Sequence, residues 1–155
     1  MILALRRRLA RARYRDERGS AVVEFVVLGV LMLVPLIYLV MTMARLQAGA
    51  YAASAAAREA ARGYVTAKSL ESAEPRARAA AEIAFEDQGF GGGQGALTLS
   101  CDGTPCLRPE GRIEVGATVT VPLPFVPAFA RDLVPLQVPV SASHVAVVDR
   151  FRAPR

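Results

Sequence analysis

The sequence predicts an α+β protein: a single N-terminal transmembrane helix extending into an alanine-rich helix, a second short helix, then a small antiparallel β-sheet of three or four strands. Three observations carry this expectation. Residues 21–44 are an apolar run in which Glu24 is the only formal charge. Residues 46–62 and 72–88 are dense in alanine and repeat at helical spacing. From Ala96 onward the apolar positions alternate with a period of two. The same boundaries divide the 155 residues into a basic cytoplasmic leader (1–19), a transmembrane helix (20–44), an extracytoplasmic helical region with a glycine-rich linker (45–95) and a small β-rich region (96–155).

Charge is distributed unevenly. Seven of the 19 basic residues (Arg6, Arg7, Arg8, Arg11, Arg13, Arg15 and Arg18) fall in the first 19 positions, beside Asp16 and Glu17. The remaining 12 basic and 12 acidic residues cancel, so the whole net charge of +5 precedes Gly19. An arginine-rich tail beside an apolar run follows the positive-inside pattern and keeps the tail in the cytoplasm. The bilayer is therefore the expected partner, and nucleic acid is not. The absence of Trp and the low aromatic content argue against a large surface for stacking on sugars or bases.

The apolar run itself comes next. At ~1.5 Å per residue its 24 positions reach about 36 Å, against a hydrocarbon core of roughly 30 Å. A secretory signal peptide has a shorter apolar region with a small-residue cleavage site behind it; here the glycine stands in front. Pro35 removes a backbone donor and predicts a kink over residues 31–35. Beyond Arg45 two lines of small residues recur at four-residue steps: Gly49, Ala53, Ala57, Ala61 and Ala48, Ala52, Ala56, Ala60. Such lines let another helix approach closely, either within the same domain or on another subunit. Glu59 and Arg62 are spaced for a weak surface pair.

Gly63 is expected to end or bend this helix. The second helix is expected over residues 72–88, with Ser72 as N-cap, Pro75 in its first turn, and Ala79, Ala80, Ala81, Ile83 and Ala84 as its apolar side. The glycine-rich residues 89–95 follow a helix and precede a strand, which is the wrong order for a phosphate loop, so they read as a connector. Leu97, Leu99 and Cys101 alternate as one strand, and Ile113, Val115, Ala117, Val119 and Val121 as the strongest one. Val134, Leu136, Val138 and Val140 alternate as a third, which Pro135 and Pro139 confine to an edge or a bulge. The apolar phase then moves to Val145 and Val147, which predicts a bulge or two short strands. Between strands, Leu123, Phe125, Val126 and Phe129 either fold over the end of the core or form an exposed contact with membrane or partner. Residues 150–155 read as a frayed tail.

Candidate chemistry is sparse. Cys101 and Cys106 enclose Asp-Gly-Thr-Pro, a set of turn formers, and predict a short disulfide loop of the kind that persists outside the cytoplasm. Two cysteines and one histidine do not make a zinc site, and no metal or cofactor is expected. His144 with Ser141 or Ser143 and Asp149 does not make a triad, because neighbours on one strand do not converge; no catalytic residue and no enzymatic activity are expected. Glu24 stands out, since a carboxylate in an apolar helix costs a few kcal/mol near the bilayer centre and less near the interface.

The stretch Arg18-Gly19-Ser20-Ala21-Val22-Val23-Glu24-Phe25, ahead of a proline-interrupted span and an Ala/Arg-rich helix, resembles the TadE-like family of the tight-adherence (Flp) pilus system. The resemblance covers about residues 15–62 closely and the distal region only in general character. It implies a pseudopilin, minor pilin or membrane-anchored assembly component of such a pilus or secretion system. It also implies cleavage between Gly19 and Ser20 by a prepilin peptidase, and assembly contacts through Glu24 and Phe25 with other pilin-like or Tad subunits. Phe25 stands where prepilins of that system often carry tyrosine. The alternative expectation is a single-pass envelope binding or regulatory module unrelated to pili.

Overall fold

Alanine-rich sequence and strict alternation fold as their periods require. The computed structural model describes residues 2–91, 93–123 and 136–152, and of residues 2–20 the backbone alone. The order is α1 (Ile2–Val65), α2 (Leu70–Asp87), β1 (Gly95–Cys101), β2 (Arg112–Pro122) and β3 (Gln137–Val147). The three strands form one antiparallel sheet in the order β1-β2-β3. The protein is thus α+β, as its sequence predicts. The chain forms two compact units, Met1–Met41 and Thr42–Arg155.

The Thr42–Arg155 unit is built from small residues on the helices and larger ones on the sheet. Ala52, Ala53, Ala56, Ala57, Ala60 and Ala61 of α1 are fully buried, and so are Ile113, Val115, Val119 and Val121 of β2. Both small-residue lines of α1 are therefore used within the chain's own core. A Cβ on Gly49 would fall against the Val121 Cγ2 methyl, with Val119 at 3.5 Å and Phe90 at 3.8 Å. Gly63 does not end α1, which continues to Val65. It allows α1 to lie against α2, where an added Cβ would meet the Arg76 carbonyl oxygen at 3.2 Å.

The second helix starts earlier than its sequence predicts. Ser69 is the N-cap, and its hydroxyl accepts from the Ser72 N–H at 3.3 Å while Ser72 Oγ accepts from the Ser69 N–H at 3.2 Å. Ser72 is thus the third helical residue of a reciprocal capping box, and Pro75 lies deeper than the first turn. Such a cap contributes about 1 kcal/mol. The buried stripe is Ala73, Ala77, Ala81, Ala84 and Phe85, whereas Ile83 is 61% exposed. The helix ends in a Schellman turn: Gly89, with φ 77°, donates to the Glu86 carbonyl, and Phe90 donates to that of Phe85. This turn places the Phe90 ring in the core, 1% exposed.

On the sheet, β2 alternates buried and open residues along its length. β3 is an edge strand, as Pro139 requires, but it has no bulge. Its register runs unbroken from Val147 opposite Arg112 to Gln137 opposite Pro122. Val145 and Val147 change phase because they lie on the outer face, 54% and 55% exposed. The expected start of this strand at Val134, together with Pro135, Phe125, Val126 and Phe129, lies outside the described residues. So do residues 153–155 of the tail. The expected Glu59–Arg62 pair does not form; among the described residues ion pairs join Arg78 to Glu74, Arg108 to Asp102 and Arg150 to Glu110.

Two consequences can be measured. Gly49→Val inserts a branched side chain against Val121, and overpacking of this kind costs about 1–3 kcal/mol. Gly29→Ala meets nothing within 4 Å. Thermal unfolding of detergent-solubilised protein is expected to show a lower midpoint for Gly49→Val and none of that loss for Gly29→Ala. Separately, burial first and the Glu74 carboxylate second raise the Tyr64 phenol above its ordinary 10.0. The unfolded chain then releases this proton at lower pH than the folded one. The associated stability is complete below pH about 10 and is lost as pH rises through the folded value. Tyr64→Phe is expected to flatten this alkaline decline in denaturant titrations.

Candidate functional site

The candidate site is a segment and not a cleft. Within α1, the stretch from Ala21 onward is long and apolar enough to cross a membrane, and its most apolar window has none of its residues buried inside the protein. Val22, Val23, Phe25 and Val26 are 54–76% exposed, and the exposed apolar side chains continue on all sides of the helix to Met43. A helix that is apolar all round requires a non-aqueous surrounding, and this one receives none from its own chain. It is the chain's candidate membrane helix, near the N-terminus.

Gly19 and Ser20 lie in the helical backbone of α1, immediately before this run. Glu24 is one turn further on and exposed, with Phe25 at 76% exposure beside it. Among the described side chains none pairs with Glu24. The helical repeat therefore presents an acid and an aromatic ring, on neighbouring lines, to whatever surrounds the start of the apolar run. Pro35 has helical backbone on both sides.

The second predicted feature is a formed disulfide. Cys101 ends β1, and Cys106 is bonded to it across a Cα–Cα distance of 5.5 Å. The β1–β2 connection that contains this loop is also held without sulfur. Arg108 pairs with Asp102 at 3.0 Å and the Asp102 N–H donates to the Arg112 carbonyl at 3.1 Å. Gly111 and Val148 close the far end, where the Val148 N–H donates to the Gly111 carbonyl at 2.9 Å. The arginine–aspartate pair is not evident from sequence, because a six-residue spacing in a loop has no fixed geometry.

No catalytic constellation forms around His144. Its position shares the helix-facing side of β3 with Ala142 and Ala146, opposite Val115. Ser141 and Ser143 lie on the other face, where the Ser141 hydroxyl hydrogen-bonds Thr118 at 2.9 Å. Asp149 accepts from the Phe151 N–H at 2.8 Å. Among the described residues no group of three or more His, Cys, Asp or Glu is placed to hold a metal ion. The glycine connector and α2 border a shallow groove of about 230 Å³ lined by Arg78, Glu82, Phe85 and Phe90, among others. Arg78 is committed to Glu74 at 2.6 Å across one helical turn.

Comparison of the chain with family models, with curated proteins and with solved structures gave no match.

One residue expected in a frayed tail does structural work. The guanidinium of Arg152 donates to the Val65 carbonyl at 2.9 Å and to the Ala67 carbonyl at 2.5 Å. It satisfies carbonyls at the C-terminal end of α1, where a cation also complements the helix dipole. The sequence signal is only a basic residue after the last strand, with nothing to fix its partner 87 residues away.

The disulfide closes a short loop, for which the chain-entropy account gives roughly 2 kcal/mol. Cys101→Ser with Cys106→Ser is expected to lower the unfolding free energy by that amount, read as a lower denaturant midpoint at unchanged slope, without changing the far-UV spectrum, because the Asp102–Arg108 pair and the Gly111–Val148 bond remain.

Proposed function

We propose that this chain is a TadE-like pseudopilin, minor pilin or membrane-anchored assembly component of a tight-adherence pilus or secretion system. The observation that carries the reading is the order Arg18-Gly19-Ser20, then Glu24-Phe25, at the mouth of an apolar helix that its own protein leaves uncovered. Under this reading the arginine-rich leader stays in the cytoplasm, residues 21–44 cross the inner membrane, and the domain with its disulfide lies outside the cytoplasm. The chain has no reaction of its own and is the substrate of a prepilin peptidase, which cuts between Gly19 and Ser20.

The chemistry of Glu24 supports the same reading. A carboxylate in apolar surroundings requires a partner. Cleavage creates an α-amine on Ser20, and in a packed array that amine on one copy reaches Glu24 of the next. The small domain contributes a folded, disulfide-closed head, and the bilayer and other pilin-like subunits are the partners.

Co-expression with a prepilin peptidase is expected to yield a mature mass beginning at Ser20, while Gly19→Ala remains at precursor mass. Glu24→Ala is expected to be processed but to lose co-purification with its assembly partners by at least tenfold, the equivalent of about 1.4 kcal/mol. A reporter fused after Arg155 is expected to be active only when exported. An uncut leader together with full assembly by Glu24→Ala would remove the pilus reading and leave an anchored envelope module.

A further inference from the structure

The sheet order β1-β2-β3 leaves β1 and β3 at its two edges, and the edges are not alike. Two bonds fix which backbone groups of β1 point outward. The Thr120 N–H donates to the Gln94 carbonyl at 2.9 Å, and the Asp102 N–H to the Arg112 carbonyl at 3.1 Å. Both continue the unbroken β1–β2 register, so Ala96, Thr98 and Ser100 bond to β2. Gly95, Leu97, Leu99 and Cys101 then turn their N–H and C=O groups to the free edge, where no described residue bonds them. On β3, the Val148–Gly111 and Leu123–Leu136 bonds put the odd-numbered residues outward in the same way. Pro139 is one of them and has no N–H to offer. β1 carries no proline, no bulge and no charge over its seven residues. Native edges are ordinarily blunted by such devices, and an edge without them is a template for a further strand.

The sequence of β1 suits pairing with itself. Leu97 and Leu99 flank Thr98, with Ala96 and Ser100 beyond them, so the apolar–polar pattern reads alike in both directions. Antiparallel self-pairing with Thr98 opposite Thr98 sets Leu97 against the second copy's Leu99 on the helix-facing side, and each such pair exchanges two hydrogen bonds. Both leucines are half-buried in one copy, packed against the margin of the core. The groove between α2 and this edge, about 230 Å³, leaves room on that side, and its lining carries one charge of each sign, Arg78 and Glu82. A strand neutral along its length brings no like charges together in a twofold pair. Pairing β1 with β3 of another copy instead loses a donor at Pro139.

We propose that β1 is an assembly edge, at which two copies of this chain pair antiparallel through Gly95–Cys101 about a twofold axis at Thr98. The two sheets become one continuous sheet, with both sets of helices on the same side, and the self-complementary contact closes on itself as a dimer. This pairing involves the Thr42–Arg155 unit alone, so it holds or fails independently of leader cleavage and of the pilus reading.

Residues facing each other in a non-hydrogen-bonded antiparallel pair have Cα atoms about 4.5 Å apart, within the reach of a disulfide. The full chain carrying Thr98→Cys, in detergent under mild oxidation, is expected to give a covalent dimer. Ala96→Cys alone is expected to give none, because four strand residues separate the two copies of that position by about 14 Å. Ala96→Cys mixed with Ser100→Cys is expected to cross-link between the two chains. Ser143→Cys, exposed on β3, is the control and is expected to stay monomeric. Should Thr98→Cys mispair with Cys101 or Cys106, charge reports the same contact in sedimentation. Thr98→Lys and Thr98→Glu are each expected to weaken self-association about fivefold, and their equimolar mixture to restore it. No more dimer from Thr98→Cys than from Ser143→Cys, or no effect of the charges, would overturn the proposal. Equal cross-linking by Ala96→Cys and Thr98→Cys would overturn it as unspecific contact between apolar helices. Cross-linking of Thr98→Cys to a different protein and not to itself would overturn it in favour of another partner strand.

Discussion

The close approach of α1 to its neighbours is the constraint on which the rest of the domain depends. Gly49 leaves no room for a Cβ beside Val121, and Gly63 leaves little beside the Arg76 carbonyl. Between them six alanines are completely buried. Alanine burial contributes little per residue, so this face stabilises through contact density and not through area. The bulk is supplied from the other side by Ile113, Val115, Val119 and Val121, with Phe90 and Val148 at the margins. Small residues on the helix and large ones on the strand interdigitate, which is how a short three-stranded sheet with two helices reaches interior packing density.

That arrangement explains which parts of the fold are legible in the sequence. The alternation over residues 112–122 is legible because one face is buried and the other is open, so periodicity and burial coincide. The four-residue steps of glycine and alanine are legible as a packing face but silent about the partner, and the partner is the chain's own sheet and second helix. The start of α2 is misread by three residues because Ser69 and Ser72 are both good caps, and only the reciprocal bonds decide between them. The phase change at Val145 looks like a bulge in sequence because an exposed valine on an edge strand carries no mark of its exposure. Ile83 misleads for the same reason.

The candidate site divides in the same way. The apolar run, Glu24 and the cysteine pair are local features and can be read directly. Arg152 on the α1 carbonyls and the Asp102–Arg108 pair depend on where the fold brings separate segments, so the sequence leaves them unmarked. Both lie at the end of the domain away from Gly49. There the disulfide, the arginine clamp and the Gly111–Val148 bond fasten β1, β2, the residues after β3 and the end of α1 to one another. The other end has no such covalent or ionic fastening among the described residues, and it relies on Gly49, Val121 and Phe90 packing.

The charge distribution carries this asymmetry further. Every charge in excess of neutrality precedes Gly19, and the residues after it balance. Under the proposed reading, copies that retain the leader bring seven arginines each to the same membrane face, where side-by-side packing concentrates like charge. The Debye length of about 8 Å at physiological ionic strength is comparable to the spacing of packed helices, so salt only partly screens that repulsion. Removal of the leader abolishes it and at the same step supplies the amine that Glu24 requires. One cleavage would then change both terms that oppose lateral assembly, the repulsion between leaders and the unpaired acid. Neither effect needs the folded domain to change shape, which is consistent with a core closed by short contacts and fastened at its far end.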